Sequence, residues 1–102
     1  MGDSTPDLLD ALQQWYDRQT DGDWEHSWGV KIGTLDNPGW SVKVNLEGTD
    51  LEDRPFAEVA ELEPEREWIH CRVVDCRFEG FGGPLMLDRI LRGFVDWAMS
   101  GT

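Results

Sequence analysis

On either side of a marked turn, over 28–33 and 40–47, the apolar positions alternate. Trp28, Val30 and Ile32 are separated by Gly29 and Lys31, and Trp40, Val42, Val44 and Leu46 by Ser41, Lys43 and Asn45. A period of two is that of a strand with one buried face. Asp36-Asn37-Pro38-Gly39 lies between the two runs. Pro presets φ early in a turn and Gly accepts φ > 0, so the pattern predicts a β-hairpin that reverses there. Upstream the period changes. Leu8, Leu9, Leu12, Trp15 and Tyr16 recur at helical spacing, with Thr5 as cap and Pro6 at the first position, and predict a helix over 6–19.

The second half is read in the same way. Phe56, Val59 and Leu62 fit neither period, and a short strand is expected from 57 to 63. Trp68 to Val74 is rich in strand formers, with Ile69, Cys71 and Val73 on one face and Trp68, His70, Arg72 and Val74 on the other. Cys76 and Phe78 extend that run past a bend at Asp75, and Gly80, Gly82 and Gly83 are expected to break the sheet. Pro84 opens a second helix running to about Met99, with Leu87, Ile90, Leu91, Phe94, Trp97 and Ala98 as its buried stripe. The order α-β-β-β-β-α predicts an α+β, two-layer sandwich: an antiparallel sheet of about four strands with an N-terminal and a C-terminal helix on one face. The other face, with short polar side chains, is expected to be free for a partner. A chain of 102 residues forms a single domain, 1–102, with residues 1–4 as a frayed tail.

Charge narrows the function classes. The formal net charge is −12, which opposes nucleic-acid binding and suits a protein partner with a basic face. From Glu47 to Glu67 there are nine acids against Arg54 and Arg66. No run reaches the ~20 apolar residues of a membrane span, and Met1 to Ala11 lacks the basic and apolar regions of a signal peptide. A cytoplasmic monomer with no cofactor is the expectation.

The string DGDWEHSWGVKIGTLDNPGWSVKVNLEGT, together with Pro55-Phe56, Trp68-Ile69-His70-Cys71, Gly82-Gly83-Pro84 and Phe94-Val95-Asp96-Trp97-Ala98, resembles the immunity protein 53 family of bacterial polymorphic toxin systems. The resemblance covers nearly the whole chain. It implies a small α+β protein, encoded beside a toxin, that binds and neutralises that toxin inside the producing cell. It marks DGDWEH and DNPGW as family features without implying that either touches the toxin.

Candidate contact residues follow from charge and aromatic placement. The first group is Asp21, Asp23, Trp24, Glu25 and His26, joined by Asp36, Asn37 and Trp40 around the hairpin turn; the second is Glu47, Asp50, Glu52 and Asp53. A Trp among carboxylates suits an interface hot spot as well as a core. If the toxin is a nuclease, these carboxylates would occupy ground that phosphates otherwise use.

Two other chemistries are open. Asp21, Asp23, Glu25 and His26 put four potential ligands within six residues, a possible metal-binding module. The EF-hand pattern fails, because its sixth and twelfth positions, counted from Asp21, hold His26 and Ile32 instead of Gly and Glu. His70-Cys71 followed by Arg77 has the H-C-x5-R spacing of a cysteine phosphatase loop and loosely resembles a sulfurtransferase loop, so a small thiol enzyme using Cys71 is an alternative. Its interior, Arg72-Val73-Val74-Asp75, favours an extended strand over an anion-cradling loop. Cys71 and Cys76 on one extended strand would stand ~16 Å apart, too far for a disulfide.

Overall fold

A computed structural model describes residues 7–20, 29–62 and 67–99. The elements are α1 (Leu8–Gln19), β1 (Val30–Leu35), β2 (Gly39–Asn45), β3 (Val59–Glu61), β4 (Ile69–Val74), β5 (Arg77–Gly82) and α2 (Leu87–Met99). The fold is the α+β arrangement the pattern implies, with five antiparallel strands in the order β1-β2-β5-β4-β3.

β5 is the strand that the pattern reading did not separate. Asp75 and Cys76 both have positive φ, at 52° and 62°, and form the two-residue turn of a tight hairpin in which Val74 pairs with Arg77. Two positive-φ residues give the local twist that matches flanking strands. The chain therefore turns back, and β5 becomes the central strand between β2 and β4. Its glycines do not break the sheet. A Cβ on Gly80 would stand 2.5 Å from Ile90 Cγ2, and one on Gly82 would stand 2.9 Å from Met86 Cβ. Glycine at these two positions lets α2 lie directly on the middle of the sheet. Pro84 and Leu85 fall in a turn ahead of α2, which starts three residues later than Pro84.

The register assigns the two faces. Val30, Ile32, Val42, Val44, Phe78, Ile69 and Cys71 share the helix-covered face through the pairings Val30↔Val44, Ile32↔Val42, Val44↔Phe78 and Cys71↔Gly80. Ile90, Leu91, Phe94, Val95 and Ala98 of α2 are buried in that core, and Leu12 and Trp15 of α1 join it. Aromatic rings link the layers. Trp15 meets Phe94 edge-on at 5.1 Å, Phe94 meets Phe78 at 5.0 Å, and Phe56 bridges Phe78 at 5.5 Å to Trp97 at 5.1 Å. Such pairs add roughly 0.5–1.5 kcal/mol beyond the area they bury.

The open face differs from expectation. It carries long cations as well as short polar groups, with Lys31, Lys43, Glu79 and Arg72 aligned across four strands by direct register.

Candidate functional site

At the end of β2 the chain leaves the sheet into a loop with an acid at four of its exposed positions: Glu47, Asp50, Glu52 and Asp53. Its backbone is closely specified. The buried Asn45 accepts a hydrogen bond on Oδ1 from the Glu47 N–H, at 3.1 Å, the Asx geometry that starts a turn. Gly48 follows with φ +80°, a conformation that disfavours side chains. Thr49 is buried; its hydroxyl donates to Leu46 O at 2.7 Å and accepts from Leu51 N–H at 3.1 Å. Consecutive i→i+3 bonds, Thr49 N–H to Leu46 O, Glu52 N–H to Thr49 O and Arg54 N–H to Leu51 O, wind the segment into a coil. Leu46 and Leu51 are both fully buried and fasten it to the core.

Two further clips hold the loop to α2. Arg54 Nη1 donates to Trp97 O at 2.9 Å and Ala98 O at 3.3 Å, carbonyls of the last helical turn. In return the Trp97 indole N–H donates to Pro55 O at 2.8 Å. The guanidinium thus satisfies carbonyls that a helix end leaves open and sits at the negative end of its dipole. The loop's acids are displayed by an anchored segment.

Their fields converge. Leu46 N–H donates to Cys76 O at 3.0 Å, which sets the loop against the β4–β5 turn. The Cys76 thiol is pushed above its ordinary pKa, by burial first and then by the charges of Glu52, Glu47 and Asp53. Exposed Asp75 in the same turn adds a carboxylate that the sequence reading did not include. The missing signal was the hairpin at Asp75-Cys76, which brings residue 75 beside residue 46.

The hairpin tip is elsewhere. Asp36 and Asn37 are exposed in the β1–β2 turn, at the opposite end of β2 from the loop, roughly 20 Å away at the usual strand rise. The structure therefore does not bring Asp36 and Asn37 to the acidic loop. Trp40 is half-buried, and its indole N–H donates to Pro84 O at 2.9 Å, tying the hairpin to the turn ahead of α2. That bond fixes the ring's orientation and leaves part of its surface exposed. Asp21, Asp23, Trp24, Glu25 and His26, and with them the metal-binding alternative, lie outside the described residues. Among the described residues no cluster of three or more His, Cys, Asp or Glu is placed to hold a metal ion.

The H-C-x5-R reading fails on geometry. Cys71 lies in an extended strand and faces α2, whereas Arg77 pairs with Val74 and points to the opposite face of the sheet. No loop curls around the thiol. Burial pushes Cys71 up to about 11, outweighing the opposing charge of Arg89, so the thiol is protonated at neutral pH and poorly nucleophilic. His70 pairs instead with Glu58, Nε2 to Oε2 at 2.6 Å.

Residues 9–99 match the sequence model of a family described as Immunity protein 53. No curated protein and no solved structure gives a match. No helix among the described residues is long and apolar enough to cross a membrane.

Proposed function

The chain belongs to the immunity protein 53 family, and on that premise we propose that it neutralises a cognate bacterial toxin of a polymorphic toxin system by binding it in the cytoplasm, without chemistry of its own. The observation that carries the reading beyond the family is the anchored acidic end of the sheet. Glu47, Asp50, Glu52 and Asp53, with Asp75 beside them, stand exposed on a backbone held by Asn45, Thr49 and Arg54. An interface whose groups are ordered before binding loses less entropy on association. A charge of −12 accelerates encounter with a basic partner.

Inhibition is then occlusion: the carboxylates cover the toxin's basic face and keep its substrate out. For a nuclease toxin they take the place of backbone phosphates. Asp36 and Asn37 reach the same partner only if it spans the length of the hairpin. The protonated, strand-bound Cys71 supports a binding role over a thiol enzyme.

The test is an activity assay of the toxin domain encoded beside this chain. Stoichiometric protection by the wild-type protein supports the reading, and so does its loss on Glu52→Lys/Asp53→Lys. Full protection by that variant would move the contact surface away from the loop. No protection by the wild type would remove the function.

A further inference from the structure

The open face of the sheet concentrates positive charge on a chain whose overall charge is −12. Lys31 of β1 is paired directly with Lys43 of β2, Lys43 with Glu79 of β5, and Glu79 with Arg72 of β4. Arg77 stands on the same face, two residues from Glu79 along β5. Both lysines of the chain are therefore here, opposite one another. Like charges directly across a strand pair destabilise it. Among the described residues neither lysine has a carboxylate within ion-pair distance: the ion pairs on this face are those of Arg72 with Glu79, of Arg77 with Glu79 and Asp75, and, towards β3, of His70 with Glu58.

Glu79 is the strut of the arrangement. Its side chain is buried, and it accepts Arg72 Nε at 3.1 Å on Oε1 and Arg77 Nε at 3.2 Å on Oε2. Arg72 also brings Nη2 within 3.0 Å of Oε1. One carboxylate thus fixes two guanidiniums, each of which keeps further N–H donors for another acceptor. Lys31, Lys43, Arg77 and Glu79 line a shallow depression of about 300 Å³.

Resting on the immunity reading above, we propose that this face is a second part of the toxin contact, and that it receives a carboxylate-bearing segment of the toxin, with Lys31, Lys43, Arg72 and Arg77 as its counter-charges. Charge complementarity selects that occupant. Around the depression Lys31, Lys43 and Arg77 face the single buried acid Glu79, with Asp75 and Glu58 only at the margins, paired to Arg77 and His70; that excess of cations fits an acidic strip, while the chain's overall charge repels a free polyanion such as nucleic acid. The chain then meets its partner with two surfaces of opposite sign, which fixes orientation as well as affinity.

The sign of one experiment separates this from the acidic-loop account. Lys31→Gln/Lys43→Gln makes the protein more negative. If only the acids bind, affinity for a basic toxin stays the same or tightens. If the open face receives carboxylates, affinity falls, by at least about tenfold for two interface charges. Binding to the toxin domain encoded beside the chain is titrated calorimetrically for the wild type and the variant, and both melting temperatures are recorded. A tenfold or greater loss with an unchanged melting temperature supports the proposal. Equal or tighter binding overturns it and leaves the immunity reading intact. A wild-type protein that does not bind overturns both. Should the double variant melt early, Lys31→Gln alone, at an exposed site on the edge strand, decides the question by the same criterion.

Discussion

Arg54 links the acidic loop to the end of α2, so its removal tests whether that loop is held as described. Arg54→Met keeps the apolar stem and deletes the guanidinium. It removes the charge-assisted bonds to Trp97 O at 2.9 Å and Ala98 O at 3.3 Å. Hydrogen bonds to a charged group contribute about 1.5–3 kcal/mol net. The second contact is long and the side chain is only half-buried, which favours the lower part of that range, about 2 kcal/mol. For a domain of this size that is a fall in Tm of roughly 8–16 °C. Arg92→Met is the matched control. Arg92 is exposed and pairs with Asp88 at 3.4 Å on the same helix, an i,i+4 pair that contributes only about 0.3–0.5 kcal/mol. Thermal melting measures both variants, and hydrogen exchange of the 49–54 amides reports whether the loop itself loosens in Arg54→Met. A fall no larger than that of Arg92→Met, with exchange unchanged, would refute the clip.

Three other outcomes follow from the geometry. Gly80→Ala places a Cβ 2.5 Å from Ile90 Cγ2 and 3.1 Å from the Phe78 ring and is expected to cost about 1–3 kcal/mol, whereas Gly93→Ala meets nothing within 4 Å and should stabilise α2 by up to about 1 kcal/mol; urea unfolding compares them. Burial pushes the Glu79 carboxyl up, but hydrogen bonds and charge from Arg72 and Arg77 outweigh it and hold it below its ordinary value. Its contribution is therefore present above the ordinary glutamate range, about pH 4.3, and is lost as pH falls through the lowered folded value. Glu79→Gln should flatten that acid limb in a stability–pH series. Cys76 is a built-in probe of the acidic patch: the pH at which iodoacetamide alkylates it should drop in a Glu47→Gln/Glu52→Gln/Asp53→Asn variant, while Cys71, pushed up to about 11, reacts more slowly in both proteins.

The hairpin and both helices were legible because their periods are clean. Val42 and Val44 are fully buried, as the alternation requires, and Ile90, Phe94 and Ala98 line the buried stripe of α2. β5 was not legible. Gly80 and Gly82 carry a breaker signal in isolation, and only the approach of Ile90 and Met86 explains glycine there. The turn at Asp75-Cys76 was hidden for a related reason, since cysteine is not a residue that announces positive φ. For the candidate site, composition singled out Glu47, Asp50, Glu52 and Asp53 but gave no sign of what holds them. Asn45, Thr49 and Arg54 act through bonds to backbone groups brought close only by the fold. The cationic row was half-visible in the hairpin, where Lys31 and Lys43 alternate with the apolar residues; its other half needed the register of β5 with β2 and β4.

In the function proposed above, this chain binds and silences a toxin through the acidic loop. The most direct measurement is calorimetric titration against the toxin domain encoded beside it, at low and high salt, for the wild type and Glu52→Lys/Asp53→Lys. The account predicts tight 1:1 binding that silences the toxin, weakens as salt rises, and falls by at least about a hundredfold in the variant. Absence of wild-type binding, or equal affinity of the variant and the wild type at both salt concentrations, would contradict it.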